Sequence, residues 1–291
     1  MMSNNTLSTE TPMPDKNDLS RREFMSVSAL AGGGLMLTSS MDVLAGARST
    51  ANTQSRGYAA IDTSGKLAPC QFEPRPAGDD GERIDIKFPS ICHAYNQQMK
   101  GNGRPLKYPQ VPGHEIVGVV AAVGRNVTKF KVGDRAGVGC MVDSNPACAS
   151  YQNDEEQYCP ETIFTYGYPD PSSPTGISQG GYSTNIVVKE HFAVHIPEHI
   201  SFQEAAPLLC AGITTYSPLM KFDLKKDDKV GVAGIGGLGH MAIKLAVSKG
   251  AEVYAFTTSA DKVEDILAFG AREAIVVDDT ASTTSLPTHP S

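Results

Sequence analysis

The sequence predicts an α/β protein built from two unlike parts: a mostly-β part over residues 48–201 and a partial parallel α/β part over residues 202–291. Three observations predict it. Between 48 and 200, short β-like runs are separated by Gly, Pro and Asp, which suits irregular antiparallel pairing. Beyond 202 the texture changes to strand and helix patterns in alternation, as in a parallel sheet. At the head of that alternation, Gly234, Gly236 and Gly239 form G-x-G-x-x-G between an apolar strand and an apolar-faced helix.

The 291 residues are 40% apolar and 20% charged with a net charge of −7, an ordinary soluble composition with room for one large core or two medium ones. The chain has no dense Lys/Arg run to neutralise phosphates, which argues against a nucleic-acid partner. Residues 1–19 are polar and lead into Ser20-Arg21-Arg22-Glu23-Phe24-Met25, then a Gly/Ala-rich apolar run to Leu37 and the small-x-small site Ala45-Gly46-Ala47. Positive region, short apolar region and small-residue cleavage site read as an export signal over 1–47. The paired arginines before Phe24 resemble a twin-arginine signal, addressed to the bacterial export machinery for folded proteins, so the expected location is periplasmic. The plainer alternative is a disordered tail with an accidental Arg-Arg. The apolar run is too short and too Gly-rich for a stable membrane span.

In chain order, β-like runs fall at 83–88, 116–123, 136–142 and 184–188, with Val132-Gly133-Asp134-Arg135 and Gly180-Gly181 supplying turns. A helical stretch over 202–220 carries Cys210 within it. Strand 229–233, helix 238–249, strand 252–257, helix 260–269 and strand 273–277 follow. Gly250 and Gly270 each stand just past a helical turn, where a C-terminal cap is expected. The tail over 280–291 has no apolar period and is expected to be loose.

The glycine motif has a mechanism. Gly234, Gly236, Gly237, Leu238 and Gly239 would cradle a pyrophosphate, because glycines permit a tight turn, close backbone approach and helix-on-strand packing. Exposed amides and the helix dipole favour the negative charge there. The second strand ends in Thr257, Thr258 and Ser259, with Lys262 one turn on, where an NAD site usually has a carboxylate. Hydroxyls and a cation suit a 2′-phosphate, so the expected cofactor is NADP(H); Ser259 is also placed to cap the next helix.

Cys92-His93, His114-Glu115 and Cys210 supply two thiols and imidazole, ligands that zinc prefers, and three protein ligands leave a fourth position open. Their spacing alone does not join them. The ordered set Cys92-His93, Gly113-His114-Glu115-Ile116-Val117-Gly118, Val132-Gly133-Asp134-Arg135, Gly180-Gly181-Tyr182, Ala206-Pro207-Leu208-Leu209-Cys210 and Gly234 to Gly239 does. Over roughly 58–279 it resembles the zinc-containing medium-chain alcohol dehydrogenases, most nearly the cinnamyl alcohol dehydrogenase branch. The resemblance implies a GroES-like catalytic domain packed on a Rossmann-type domain. It implies catalytic zinc on Cys92, His114 and Cys210, with water or Glu115 in the fourth place. It also implies His93 beside the cofactor, with a part in moving the proton, and a small alcohol or aldehyde as substrate.

The chain departs from that pattern in three places. Ala94 and Tyr95 stand where the family has a hydroxyl and an Asp, and Gln97 stands where it has a second His. The lobe that holds a second zinc on four cysteines reads Asn145, Cys148, Tyr151 and Cys159, so structural zinc is expected to be absent; the two cysteines are either paired in a disulfide or free. The family pattern continues with further Rossmann strands, which makes the nucleotide domain partial here and leaves the family's dimer in doubt. The expected function is hydride transfer between NADP(H) and a primary alcohol or aldehyde. The alternatives are a truncated, non-catalytic remnant with weak nucleotide or zinc binding, and a zinc-free quinone reductase, against which Cys92, His114 and Cys210 argue.

Overall fold

In the computed structural model, which describes residues 54–101 and 106–277, the apolar runs of the first part pair into a five-stranded antiparallel sheet. The export signal expected over 1–47 and the loose tail over 280–291 lie outside the described residues. A hairpin of Ser55–Ala60 (β1) and Leu67–Phe72 (β2) comes first. The sheet follows, from Gly81–Pro89 (β3), Ile116–Val123 (β4), Arg135–Val138 (β5), Asn185–Lys189 (β8) and Ala193–His195 (β9). Its strand order is β8-β3-β4-β5-β9. Ile84, Ile116, Val120, Val138 and Val188 fill its core with Phe130, each contributing about 1.5–3 kcal/mol of burial. Gly118 sits mid-strand in β4 because β3 presses on it: a Cβ there would meet the Asp85 carbonyl oxygen at 2.2 Å.

Two sequence expectations need correction. The run over 136–142 is not one strand; it breaks at Gly139-Cys140 between β5 and Met141–Asp143 (β6), which pairs with Ile163–Phe164 (β7). The helix expected over 202–220 is also broken. It runs as Phe202–Ala205 (α3, after Ala94–Met99, α1, and Ala149–Gln152, α2), a 3-10 stretch Ala206–Leu209, then Ala211–Lys221 (α4). Ser201 and Glu204 close a capping box on α3. Pro207 then removes a donor, and Cys210 leaves helical geometry at φ −131° and ψ −67°. The hairpin β1–β2 was not foreseen, since Gly57 and Pro69 interrupt any alternation.

The second part matches its pattern closely. Lys229–Ala233 (β10), Glu252–Thr257 (β11) and Glu273–Val276 (β12) form a parallel sheet in that order, so β10 is an edge among the described residues. Gly237–Ser248 (α5) and Val263–Ala268 (α6) connect them, with a 3-10 turn, Ala260–Lys262, before α6. Ile243, Ala246, Val253, Ala255 and Ile266 form the core. Gly250 and Gly270 take φ values of 86° and 101°. Each helix end then closes as a Schellman motif: Gly250 and Ala251 donate to Val247 and Ala246, and Gly270 and Ala271 donate to Leu267 and Ile266.

One buried group sets a pH dependence. Glu82 on β3 is 0% exposed, and neither carboxyl oxygen has a hydrogen-bond partner. Burial, then the charge of Glu190, pushes it from 4.5 up to about 7, against the pull of Lys129. The folded protein therefore keeps a proton that the unfolded chain has released between 4.5 and about 7, and stability falls as pH rises through that window. Glu82→Gln is expected to add about 2 kcal/mol of stability at pH 8 and little at pH 4. Urea unfolding at both pH values tests this; a variant whose stability falls with pH as steeply as the parent's removes Glu82 as the cause.

Candidate metal centre and cofactor cradle

Three distant segments deliver the ligand set. Cys92 follows β3, His114 and Glu115 precede β4, and Cys210 occupies the break before α4. The ligating atoms of Cys92, His114 and Cys210 all lie within 4.8 Å of one another, the two sulfurs 4.0 Å apart. This is the one such group among the described residues. His114 Nε2 is buried without a hydrogen-bond partner, so the soft donor set and an orphaned nitrogen both fit a zinc ion. The Cys210 thiol, with burial behind it, pushes Cys92 up to about 12; the Cys140 thiol pushes Cys210 up to about 12. A metal binding here must therefore displace protons.

Glu115 lies outside that triad, and its two oxygens are engaged elsewhere. Oε1 accepts from the Ala211 backbone N–H at 3.0 Å, at the start of α4, and Oε2 accepts from the Ser90 hydroxyl. Ser90 is two residues before Cys92, Glu115 adjoins His114, and Ala211 adjoins Cys210. One buried carboxylate thus ties together the backbones that carry all three ligands. Each Glu115 oxygen accepts one bond in this positioning role, while its second lone pair leaves the expected fourth-ligand role open. His93 takes the N-cap position of α1, exposed and without a capping bond.

A cavity of about 350 Å³ opens beside the triad, with Ala94, Gln97, His114, Cys140, Phe164 and Tyr166 among its walls. Tyr166 packs its ring 5.5 Å from that of His114, and Phe164 lies 4.6 Å from Tyr168. Tyr95 turns away, donating to the Gly65 carbonyl at 3.3 Å, with its ring 6.2 Å from Tyr182. Sequence reasoning missed Ser90, Cys140 and this aromatic wall. Only the Gly139-Cys140 pair, a turn-prone break in an apolar run, hinted at one of them.

The glycine loop divides its work. Gly234 takes φ 84°, and a Cβ at Gly234, Gly236 or Gly237 would meet nothing within 4 Å, which leaves the loop surface open to a ligand. At Gly239 a Cβ would meet the Gly234 carbonyl oxygen at 2.2 Å, so that glycine serves the packing of helix against turn. Leu238 is 36% exposed at the rim. Thr257 is buried and accepts from the Ser259 N–H at 3.1 Å, whereas Thr258 is exposed. Ser259 makes no side-chain capping bond, so that alternative for it fails. Lys262 Nζ donates to the Ile235 carbonyl at 3.0 Å, which places its charge against the loop.

The chain is similar to known proteins. Residues 78–198 match the alcohol dehydrogenase GroES-like domain. The chain is 47% identical over 212 residues to a probable mannitol dehydrogenase of Mesembryanthemum crystallinum, covering 72% of this chain and 58% of that one. It is 44% identical over 232 residues to probable cinnamyl alcohol dehydrogenase 5 of Oryza sativa subsp. japonica, covering 79% and 65%. The crystal structure of the cinnamyl alcohol dehydrogenase from Helicobacter pylori complexed with NADP(H) superposes with a TM-score of 0.75 at 40% identity, covering 79% of this chain and 66% of that one. The chain belongs to the medium-chain alcohol dehydrogenases, in their cinnamyl alcohol dehydrogenase-like branch. It spans 58% and 65% of the length of these two curated relatives.

In this chain the residues at the family's cysteine-rich lobe make other contacts. Asn145 Nδ2 donates to Glu161 at 2.7 Å, Tyr151 stacks on His191 at 4.6 Å, and His191 pairs with Glu156. Cys148 and Cys159 are free thiols, so of the two expected states the unpaired one is seen.

The glycines give a prediction with two separate readouts. Gly239→Ala is expected to cost about 2 kcal/mol through its backbone clash. Gly236→Ala should leave thermal stability nearly unchanged and weaken NADPH binding at least tenfold. Calorimetric melting and NADPH titration of both variants check it; a stable Gly239→Ala protein would contradict the packing role.

Proposed function

We propose that this chain interconverts a primary alcohol and its aldehyde with NADP(H), at a single zinc held by Cys92, His114 and Cys210. The observation that carries the reading is the compact ligand triad opening on the cavity. When bound, zinc supplies Lewis acidity to the substrate oxygen and NADP(H) supplies or accepts the hydride. The protein's own part is positioning. Glu115 holds the three ligand-bearing segments, Phe164 and Tyr166 form an apolar wall that orients a planar substrate, and the loop over Gly234–Gly239 with Lys262 receives the phosphates. Cofactor choice is supported by Lys262 and by the absence of a carboxylate over Thr257–Ser259.

Ala94 and Gln97 give the cavity wall no group that gains and loses a proton at neutral pH. Proton exchange therefore limits turnover at those positions, and His114 lacks a carboxylate partner at Tyr95. A second reading, weak nucleotide or zinc binding without turnover, is favoured by the same two departures. About one zinc per chain and NADPH oxidation with benzaldehyde or cinnamaldehyde are the expected results. Ala94→Ser is expected to raise turnover roughly tenfold, and Tyr95→Asp to tighten zinc binding roughly tenfold. Zinc without any turnover in either variant supports the second reading. Neither zinc nor nucleotide binding would sink both.

The location proposed is periplasmic, through twin-arginine export of the folded, loaded protein. Its support is the sequence around Arg21-Arg22 and Ala45-Gly46-Ala47; among the described residues, no helix is long and apolar enough to cross a membrane. Replacing Arg21 and Arg22 by Lys in a bacterial host should keep the protein in the cytoplasmic fraction. Equal periplasmic recovery of parent and variant would argue against this route.

A further inference from the structure

A second, much smaller cavity of about 20 Å³ shares Thr165 with the cavity beside the triad. Arg75, Val142, Asp170, Asn185 and Ile186 are also among its walls. Three segments far apart in sequence meet there: the stretch after β2 with Arg75, the turn over 169–178 with Asp170, and the start of β8 with Asn185. Charges are matched in pairs. Arg75 Nη2 pairs with Asp143, which also takes Lys189 Nζ at 2.9 Å, and Arg75 Nε lies 3.5 Å from Asp170 Oδ2. The other Asp170 oxygen accepts from Ser172, from the backbone N–H at 3.0 Å and the hydroxyl at 2.6 Å. Further polar groups of the wall are spent as well. The Thr165 hydroxyl donates to the Gly139 carbonyl at 2.5 Å, Ser178 Oγ accepts from the Tyr168 N–H at 3.2 Å, and Gln179 Oε1 accepts from the Val111 N–H at 2.7 Å. Three atoms are left over. Arg75 Nη1, Asp170 Oδ2 and Asn185 Oδ1 are buried and make no hydrogen bond. Asp170 is 1% exposed and Asn185 4%, so bulk solvent does not serve them.

We propose that this cavity is the seat of one buried water molecule that bonds all three atoms. The count of donors and acceptors selects it. The guanidinium N–H of Arg75 donates to the water oxygen, and the two water protons go to Asp170 Oδ2 and Asn185 Oδ1. A cation placed there would face the guanidinium, and an anion would face two acceptors. The volume agrees, since one water needs about 10–15 Å³ measured in this way and a polyatomic ligand needs far more. The water then joins the stretch after β2, the turn over 169–178 and β8, three segments that share no strand pairing with one another. Thr165 stands between Phe164 and Tyr166 and lines both cavities, so the water sits on the far side of the aromatic wall beside the triad.

Crystals of the full chain, soaked in parallel in bromide and in rubidium, test the assignment. One density peak is expected in the cavity, within hydrogen-bond distance of Arg75 Nη1, Asp170 Oδ2 and Asn185 Oδ1, with no anomalous signal from either ion. A bromide or rubidium peak would make it an ion site, and a cavity without density would make it dry; either overturns the proposal. Asn185→Leu removes one acceptor with little change in volume. It is expected to lose the peak and to melt roughly 5 °C lower than the parent. A variant that keeps the parent's melting temperature overturns the bracing role, and the parent's own density decides occupancy even where the variant folds poorly.

Discussion

The carboxylate of Glu115 reaches across 25 residues to the Ser90 hydroxyl and across 96 residues to the Ala211 N–H. A carboxylate that is 2% exposed is costly to leave unpaired, so the fold must supply donors to both of its oxygens. One donor is a hydroxyl at the end of β3; the other is an amide at the N-terminus of α4, where the helix dipole also favours negative charge. Satisfying Glu115 therefore places Cys92, His114 and Cys210 without any ligand contact of its own. The break at Cys210 belongs to the same arrangement, since a continuous helix over 202–220 would have no free N-terminal amide at Ala211.

The glycine loop is shaped by open space, with one cation held against it. Around Gly234, Gly236 and Gly237 the backbone surface is bare, and the closest approach in the loop is internal, between Gly239 and the Gly234 carbonyl. The same motif thus contains glycines kept for a ligand and one kept for the protein itself. Lys262 joins the two parts of the cradle, because its ammonium bridges the turn before α6 to the loop that opens α5. That bond holds a cation where the phosphates of a dinucleotide are expected, and it offers the lysine a partner until one arrives.

The nucleotide-binding part was the more legible in the sequence because its signals are local. Strand, glycine turn and helix follow one another within a few tens of residues, so periodicity and capping glycines fix the bounds over 229–277 nearly to the residue. The β part depends on pairings of high sequence separation. The hairpin β1–β2, with Pro69 and Gly57 inside it, shows no alternation, and the split at Gly139-Cys140 looks like one apolar run. The ligand residues were legible only through resemblance. Their assembly was not, because Ser90 carries no signal and nothing in the sequence shows that Glu115 bonds both Ser90 and Ala211. Glu82 escaped notice for a similar reason: a glutamate in a strand is ordinarily solvated, and only the sheets around it show that it is not.

Metal placement and proton movement are separable in this site. The Glu115 strap acts on the backbones that bear the ligands, and nothing in it passes through Ala94, Tyr95 or Gln97. Those three residues can change without loosening the triad, which is why an intact ligand set coexists with a cavity wall that has lost its hydroxyl. The imidazole of His114 bears the consequence. With Tyr95 committed to Gly65, the contact that orients it is the ring of Tyr166. On the proposed reading, a zinc ligand held this way would keep its position and lose part of its electronic tuning. On that reading the departures would fall on rate and metal affinity more than on the architecture.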